Sequence, residues 1–289
     1  MPWSEISRQI SAVLGEPFTA SNPRPISGGD INQAYLLQDG SRRIFIKLNS
    51  ASRRSMFEAE YQALQVMQAT DTLRVPTPYC TGVAAAQAFI AMEYIELSSG
   101  NQKSQELLGQ QLAAMHRVTA QQFGWHRDNT IGSTLQCNEQ QDDWLVFWRD
   151  QRIGVQLQLL AQHGYTGRIQ SLGEQLLTEL PRLMAAHQPR PSMLHGDLWS
   201  GNYAFDGQGQ PFIFDPALYY GDREADLAMT ELFGGFPARF YDAYREAYPL
   251  DEGYEHRKIL YNLYHVLNHG NLFGGGYINQ AERMIGQLL

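Results

Sequence analysis

One stretch constrains this chain more than any other. The run Met193-Leu194-His195-Gly196-Asp197-Leu198-Trp199-Ser200-Gly201-Asn202 is followed, after a short polar connection, by the apolar segment Pro211-Phe212-Ile213-Phe214, which ends in Asp215-Pro216. An apolar run bounded by turn residues reads as a buried strand, so three oxygen-bearing side chains, Asp197, Asn202 and Asp215, are set on a loop and at the end of the strand after it. The same residue types also form turns and cap strands. The accompanying His195, Gly196 and buried-looking strand favour a chemical use. Hard oxygen donors can hold a divalent cation while one carboxylate stays within reach of a hydroxyl proton.

His-x-Asp, four further residues, Asn, and a later Asp at a strand end is the spacing of a phosphotransferase catalytic loop. In that arrangement Asp197 takes the proton of the attacking hydroxyl, while Asn202 and Asp215 are the Mg²⁺ ligands. Elements nearer the N-terminus fit the same chemistry. Gly28 and Gly29 precede a strand, Gln33 to Gln38, joined through Asp39-Gly40 to a second strand, Arg43 to Leu48. Asp-Gly between two strands predicts a hairpin, and the glycine pair either lets backbone N–H groups approach phosphates or simply makes a turn. Lys47 interrupts the apolar Ile44-Phe45-Ile46-Lys47-Leu48 and needs an anionic partner if it is buried. The helix expected over Arg54 to Gln68 repeats Phe57, Tyr61, Leu64 and Gln68, and its phase puts Glu60 rather than Glu58 on that face. Lys47 and Glu60 then match the ion pair that aligns ATP phosphates in kinases, with two unrelated surface charges as the alternative.

Further strands are expected over Tyr79 to Val83 and Gln87 to Tyr94, and the pattern breaks in polar residues from Leu97. Met92, Glu93 and Tyr94 therefore mark a hinge whose backbone would meet adenine, and the chain divides into residues 1–94, small and β-rich, and 95–289, larger and helical. Helices are expected at Trp3 to Leu14, Gln105 to Val118, Trp144 to Leu160, Ile169 to Met184, after Asp222 as an N-cap, and from about Glu255 to His269. His116 reads as structural rather than as a ligand. The last helix carries Leu260, Leu263, Tyr264 and Leu267 on one face and Tyr261, His265, Asn268 and His269 on the other. That second face would either line a cleft for a polyhydroxylated substrate or be ordinary surface.

Net charge is −8 without long runs of one sign, which argues against nucleic acid or an anionic membrane as the main partner. No window approaches the ~20 apolar residues of a membrane span, and Cys80 and Cys137 form neither a metal-binding spacing nor a disulfide framework. A reducing, cytoplasmic setting follows.

Gly28-Gly29-Asp30-Ile31-Asn32, Lys47, Glu60, the His195–Asn202 loop, Asp215-Pro216-Ala217, Gly221 to Met229 and Leu263 to His269 together resemble the fructosamine kinase family, over nearly the whole chain. That family is similar to the aminoglycoside phosphotransferase and choline kinase group. The resemblance implies an α+β, two-lobed, protein-kinase-like fold, ATP and Mg²⁺ as cofactors, and phosphorylation of the 3-hydroxyl of ketosamines, either small molecules or glycated proteins. A phosphate at C3 is on the carbon next to the C2 carbonyl and, once C1 and C2 enolise, can leave by elimination, so deglycation results. Trp199, His265 and Asn268 are the expected substrate residues, and a monomer is expected. Departures from protein kinases are Gly196 in place of Arg, Pro216-Ala217 in place of Phe-Gly, and no Ala-Pro-Glu motif, which removes phosphorylation-loop control. Many family members carry Cys after the glycine pair where this chain has Asp30, so thiol-based control at that site is lost. Two rivals are a kinase for another small molecule, an aminoglycoside or amino alcohol, and a non-catalytic nucleotide-binding protein. The latter would be expected to lack at least one of Lys47, Asp197, Asn202 and Asp215, and all four are present.

Overall fold

A computed structural model describes residues 2–26, 31–185 and 187–289. The chain forms two compact units, the first comprising residues 1–104 and 204–216 and the second residues 105–203 and 217–289.

The first unit is built on a five-stranded antiparallel sheet, β1 (Ser21–Ile26), β2 (Gln33–Asp39), β3 (Arg42–Ser50), β4 (Pro78–Ala84) and β5 (Gln87–Glu93), in the order β1-β2-β3-β5-β4. The expected hairpin is present, closed by the Asp39↔Arg42 pair with Gly40 at φ +59°. Alternation along β3 sends Ile44, Ile46 and Leu48 into a core with Ile6 and Ile10 of helix α1 (Trp3–Leu14), Leu37 and Phe89. Ile6, Ile10, Leu37 and Ile46 are fully buried, each contributing roughly 2 kcal/mol of apolar burial. Lys47 falls on the opposite face of β3, where α2 (Arg54–Gln68) packs. The buried residues of α2 are Met56, Phe57, Ala59, Ala63, Leu64 and Met67; of the expected series Phe57 and Leu64 are buried, Tyr61 is half-buried and Gln68 is exposed.

Residues 204–216 return to this unit. Strand β10 (Pro211–Ile213), paired with β9 (Tyr203–Phe205), is fastened at Arg74: Ile213 N donates to Arg74 O at 3.0 Å, and Arg74 Nη1 donates to Asp206 Oδ2 at 2.6 Å.

The second unit is mainly helical, with α3 (Gln102–His116) burying Leu108, Leu112 and Met115 as its period predicts. Two small ribbons, β6 (Asn129–Ile131) with β7 (Thr134–Gln136) and β8 (Ser192–Leu194) with β11 (Tyr219–Gly221), carry the loops discussed below. The helix expected over Trp144 to Leu160 is present and continuous to Gln162. It runs as α4 (Trp144–Trp148), a π-helical turn over Arg149–Ile153, and α5 (Gly154–Gln162), with Asp143 Oδ1 capping Leu145 N at 2.7 Å. The remaining helices are α6 (Arg168–Met184), α7 (Glu224–Leu232), α8 (Ala238–Ala247), α9 (Tyr254–Phe273) and α10 (Gly276–Leu288). Among the described residues no helix is long and apolar enough to cross a membrane.

Candidate active site

In the first unit, β3 and α2 bring Lys47 and Glu60 together as the helical phase predicts. Lys47, 6 % exposed, donates from Nζ to Glu60 Oε1 at 2.6 Å and also to Asp215 Oδ1. Burial alone would lower the Lys47 pKa, but the Asp215 and Glu60 carboxylates outweigh it and the ammonium is held well above its ordinary value. Two carboxylates share one ammonium, leaving an excess negative charge. Burial pushes Glu60 up, Lys47 opposes that, and the Asp215 charge adds to it. Asp215 sits at φ +59°, a conformation that side-chain-bearing residues seldom adopt and that clusters at functional sites.

Gly28 and Gly29 lie outside the described residues. Just after them, Asn49 Nδ2 of β3 donates to Ile31 O at 3.0 Å and Asn32 Oδ1 at 2.8 Å, tying the start of the hairpin down. At the end of β5, Met92 is buried and the Glu93 carboxylate is committed to Arg74 Nη2 at 2.7 Å and Thr77 N at 3.2 Å. The Arg43 guanidinium lies over the Tyr94 ring, 4.9 Å from its centroid.

In the second unit, the turn after β8 is anchored from below. Buried Asp226 of α7 accepts from His195 N at 2.7 Å, Gly196 N at 2.8 Å and His116 Nε2 at 3.2 Å. Burial by itself would raise the Asp226 pKa, but the His116 hydrogen bond, the charges nearby and the Gly196 N–H hold it below the ordinary carboxylate range. His116 Nδ1 in turn meets Tyr244 OH at 2.8 Å, so His116 is a structural residue, as read from the sequence. His195 is fully buried and its Nδ1 accepts from Asp197 N at 3.2 Å, which bends the backbone back on itself and leaves the ring bracing the loop. Gly196 has φ +83°, and a Cβ there would stand 2.1 Å from the backbone Ala217 O, so an arginine at this position would strain this backbone and force it to shift.

Asn202 is buried and donates from Nδ2 to Asp197 O at 2.8 Å and Asp197 Oδ2 at 3.3 Å. With Nδ2 so committed, its carboxamide oxygen is the atom it offers to a cation. Trp199 is 39 % exposed, its ring lying over Gly201, where a Cβ would collide at 2.4 Å.

On the polar face of α9, Tyr261, His265 and Asn268 are buried and His269 is half-buried. Tyr261 OH donates to Asp222 Oδ2 and accepts from Trp144 Nε1 at 3.1 Å. Asn268, 2 % exposed, meets Gln156 Nε2 and Ile131 O, each at 3.4 Å, and His265 is 5 % exposed. Burial, with the His269 charge beside it, pushes His265 down to about 3, so it is neutral near pH 7. The N-cap of α7 is Arg223 and not Asp222 as expected; Asp222, one residue earlier, accepts Glu224 N at 3.0 Å through Oδ1 and also accepts His187 Nε2 at 2.5 Å. Sequence reasoning passed over Asp226, His187 and Arg152. The one available signal for Asp226 was an acid placed directly before Leu227-Ala228-Met229.

A β-sheet unit carrying a buried Lys–Glu pair, and a helical unit carrying an Asp–Asn loop braced by a buried aspartate, define a kinase-like phosphotransferase fold. Solved aminoglycoside phosphotransferases share it, for example APH(4)-Ia at TM-score 0.60 and 16 % identity over 98 % of this chain and 97 % of that one. More specifically, the family model for fructosamine kinase matches residues 2–289, and the chain belongs to that family. A probable ketoamine kinase of Synechocystis is 48 % identical over 100 % of this chain and 97 % of its own length. A chloroplastic protein-ribulosamine 3-kinase of Oryza sativa subsp. japonica is 41 % identical over 98 % of this chain and 83 % of its own. The crystal structure of a candidate fructosamine-3-kinase from Haemophilus somnus superposes at TM-score 0.91, with 32 % identity over 99 % of this chain and 97 % of that one.

Proposed function

We propose that the protein is an ATP-dependent kinase that phosphorylates the 3-hydroxyl of ketosamines, the ribulosamine or fructosamine adducts of amines and proteins. The observation that carries this is the Asp197–Asn202 pair held on a buried brace, in a chain that matches the fructosamine kinase family from end to end. Asp197 accepts the proton of the substrate hydroxyl as its oxygen bonds to the γ-phosphorus and the bond to ADP breaks. In this reading Lys47, kept charged by Asp215 and Glu60, binds ATP phosphates, and its hydrogen bond to Glu60 supports a role for Glu60 in orienting it. The donor set suits Mg²⁺: the Asn202 carboxamide oxygen and the 43 % exposed Asp215 carboxylate are hard oxygens, and the surplus negative charge around Lys47 calls for a cation. When bound, Mg²⁺ would neutralise charge on the phosphates. Gly28, Gly29 and the backbone of Met92, Glu93 and Tyr94 are assigned to the nucleotide, and exposed Trp199 to the sugar. Once C1 and C2 of the product enolise, the C3 phosphate can leave as inorganic phosphate, and hydrolysis of the imine left on C1 frees the amine.

The deciding experiment incubates the protein with Mg-ATP and four acceptor classes: ribulosamine, fructosamine, choline and an aminoglycoside. Transfer to the ketosamines is expected. Transfer confined to choline or the aminoglycoside, or to none, overturns the proposal.

A further inference from the structure

The π-helical turn Arg149–Ile153 aims Arg152 into the helical unit, and π-bulges of this kind recur at functional positions. Arg152 is fully buried, yet every acceptor it bonds is uncharged: Cys137 O at 2.6 Å and Gln151 O at 3.0 Å from Nη1, and Asn138 Oδ1 at 2.7 Å from Nη2. Its Nε has no hydrogen-bond partner among the described residues. Aromatic faces complete the cage, with the guanidinium 4.1 Å from the Tyr219 centroid and 4.5 Å from that of Phe147. Burying a charge with no carboxylate partner is costly, which directs attention to what its hydrogen bonds hold in place.

What depends on it is a relay of buried carboxamides. Asn138 Nδ2 donates to Asn129 Oδ1 at 3.0 Å, which also accepts from Gln136 Nε2 at 2.8 Å. Gln136 Oε1 accepts from Tyr264 OH at 2.8 Å, and the relay ends on two backbone carbonyls. Gln136 Nε2 reaches Ala217 O at 3.1 Å, and Asn129 Nδ2 reaches Leu218 O at 2.8 Å. Ala217 is the residue that touches the catalytic loop: its N–H donates to His195 O at 2.9 Å, and its carbonyl faces Gly196. It also stands two residues after Asp215. The Asp197 charge is among those that raise the Tyr264 phenol, so the relay lies within electrostatic reach of the base.

We propose that Arg152 and the carboxamides Asn138, Asn129 and Gln136 are positioning residues for phosphoryl transfer, which orient the Ala217–Leu218 peptides and through Ala217 hold the catalytic loop. The proposal rests on the kinase activity argued above. Its consequence is a defect in kcat rather than in binding, because small misplacements of catalytic groups weaken the transition state more than the ground state.

Two variants test it. Arg152→Met removes the charge, and Asn138→Asp keeps an acceptor for Arg152 while removing the donor to Asn129, so it cuts the relay where the cation stays satisfied. For Asn138→Asp, kcat is expected to fall about 10- to 100-fold, with KM for ATP and for the ketosamine within about twofold of wild type. Amide exchange measured by mass spectrometry should quicken at residues 195–197 and 217–218, and Arg152→Lys should recover part of what Arg152→Met loses. A lowered unfolding midpoint with normal kcat in both variants would show a merely structural role and overturn the proposal, as would unchanged exchange at those residues. If the wild type transfers phosphate to no ketosamine, the proposed activity falls, and the exchange measurement still decides whether the relay braces the loop.

Discussion

The two units hold their candidate catalytic residues by different means. In the sheet unit Lys47, Glu60 and Asp215 hold one another through charge, with two carboxylates on one ammonium and one acid at a strained backbone angle. In the helical unit the Asp197 loop is held through its backbone, by Asp226 accepting two successive N–H groups and by Ala217 meeting His195. Charge-held groups can change partners when phosphates and a cation arrive, whereas backbone-held groups keep their geometry at no reorganisation cost during the reaction. The difference is consistent with the roles proposed above, nucleotide handling for the first set and proton transfer for the second.

The sharpest way to break this contrast is at the base. Asp197→Asn keeps size and removes charge, so kcat should fall by about 10² to 10⁴ while ATP affinity survives. A near-normal kcat in that variant, with activity lost in His195→Ala, would move the base to His195.

Next in size is the charge cluster. Lys47→Ala and Glu60→Ala should each cut ATP-dependent turnover, and the double variant should lose less than the sum, with a coupling of about 0.5 to 3 kcal/mol. Small additive losses would mean that the pair does not act as a unit.

The smallest effect tests the brace. Asp226→Asn leaves a buried N–H facing the Nδ2 group and should cost about 3 kcal/mol in unfolding free energy at pH 7. The Asp226 pKa is lowered in the fold, so its stabilisation is complete above the unfolded value near ~4 and disappears as pH falls through the folded value. The gap between wild type and variant in urea midpoint should therefore close in acid. A gap independent of pH down to that range would show that the carboxylate charge is not what anchors the loop.

Much of this was legible in the sequence where local periodicity governs. The hairpin, the Lys47–Glu60 partnership and the loop spacing each follow from local patterns, Lys47 and Glu60 lying 13 residues apart on adjoining elements. Asp226 was not, because a carboxylate that accepts backbone N–H groups some thirty residues away leaves no mark in side-chain spacing. Arg152 was hidden by an apolar pattern that runs on through Trp144 to Leu160, while the π turn shifts the helical phase at that point. The polar face of α9 misled for a related reason: Tyr261 and Asn268 look like surface residues until their buried partners, Asp222 and Gln156, are known. The return of residues 204–216 to the sheet unit depends on Arg74, whose contacts to Asp206 and Ile213 are long-range.

The central claim is best tested by locating the phosphate on the product. With Mg-ATP and a ribulosamine or fructosamine, two-dimensional ¹H–³¹P NMR should couple the new phosphorus to the proton on C3, followed by slow release of inorganic phosphate and the free amine. A phosphorus coupled to any other sugar position, or ATP consumed with no phosphorylated sugar, would contradict the account.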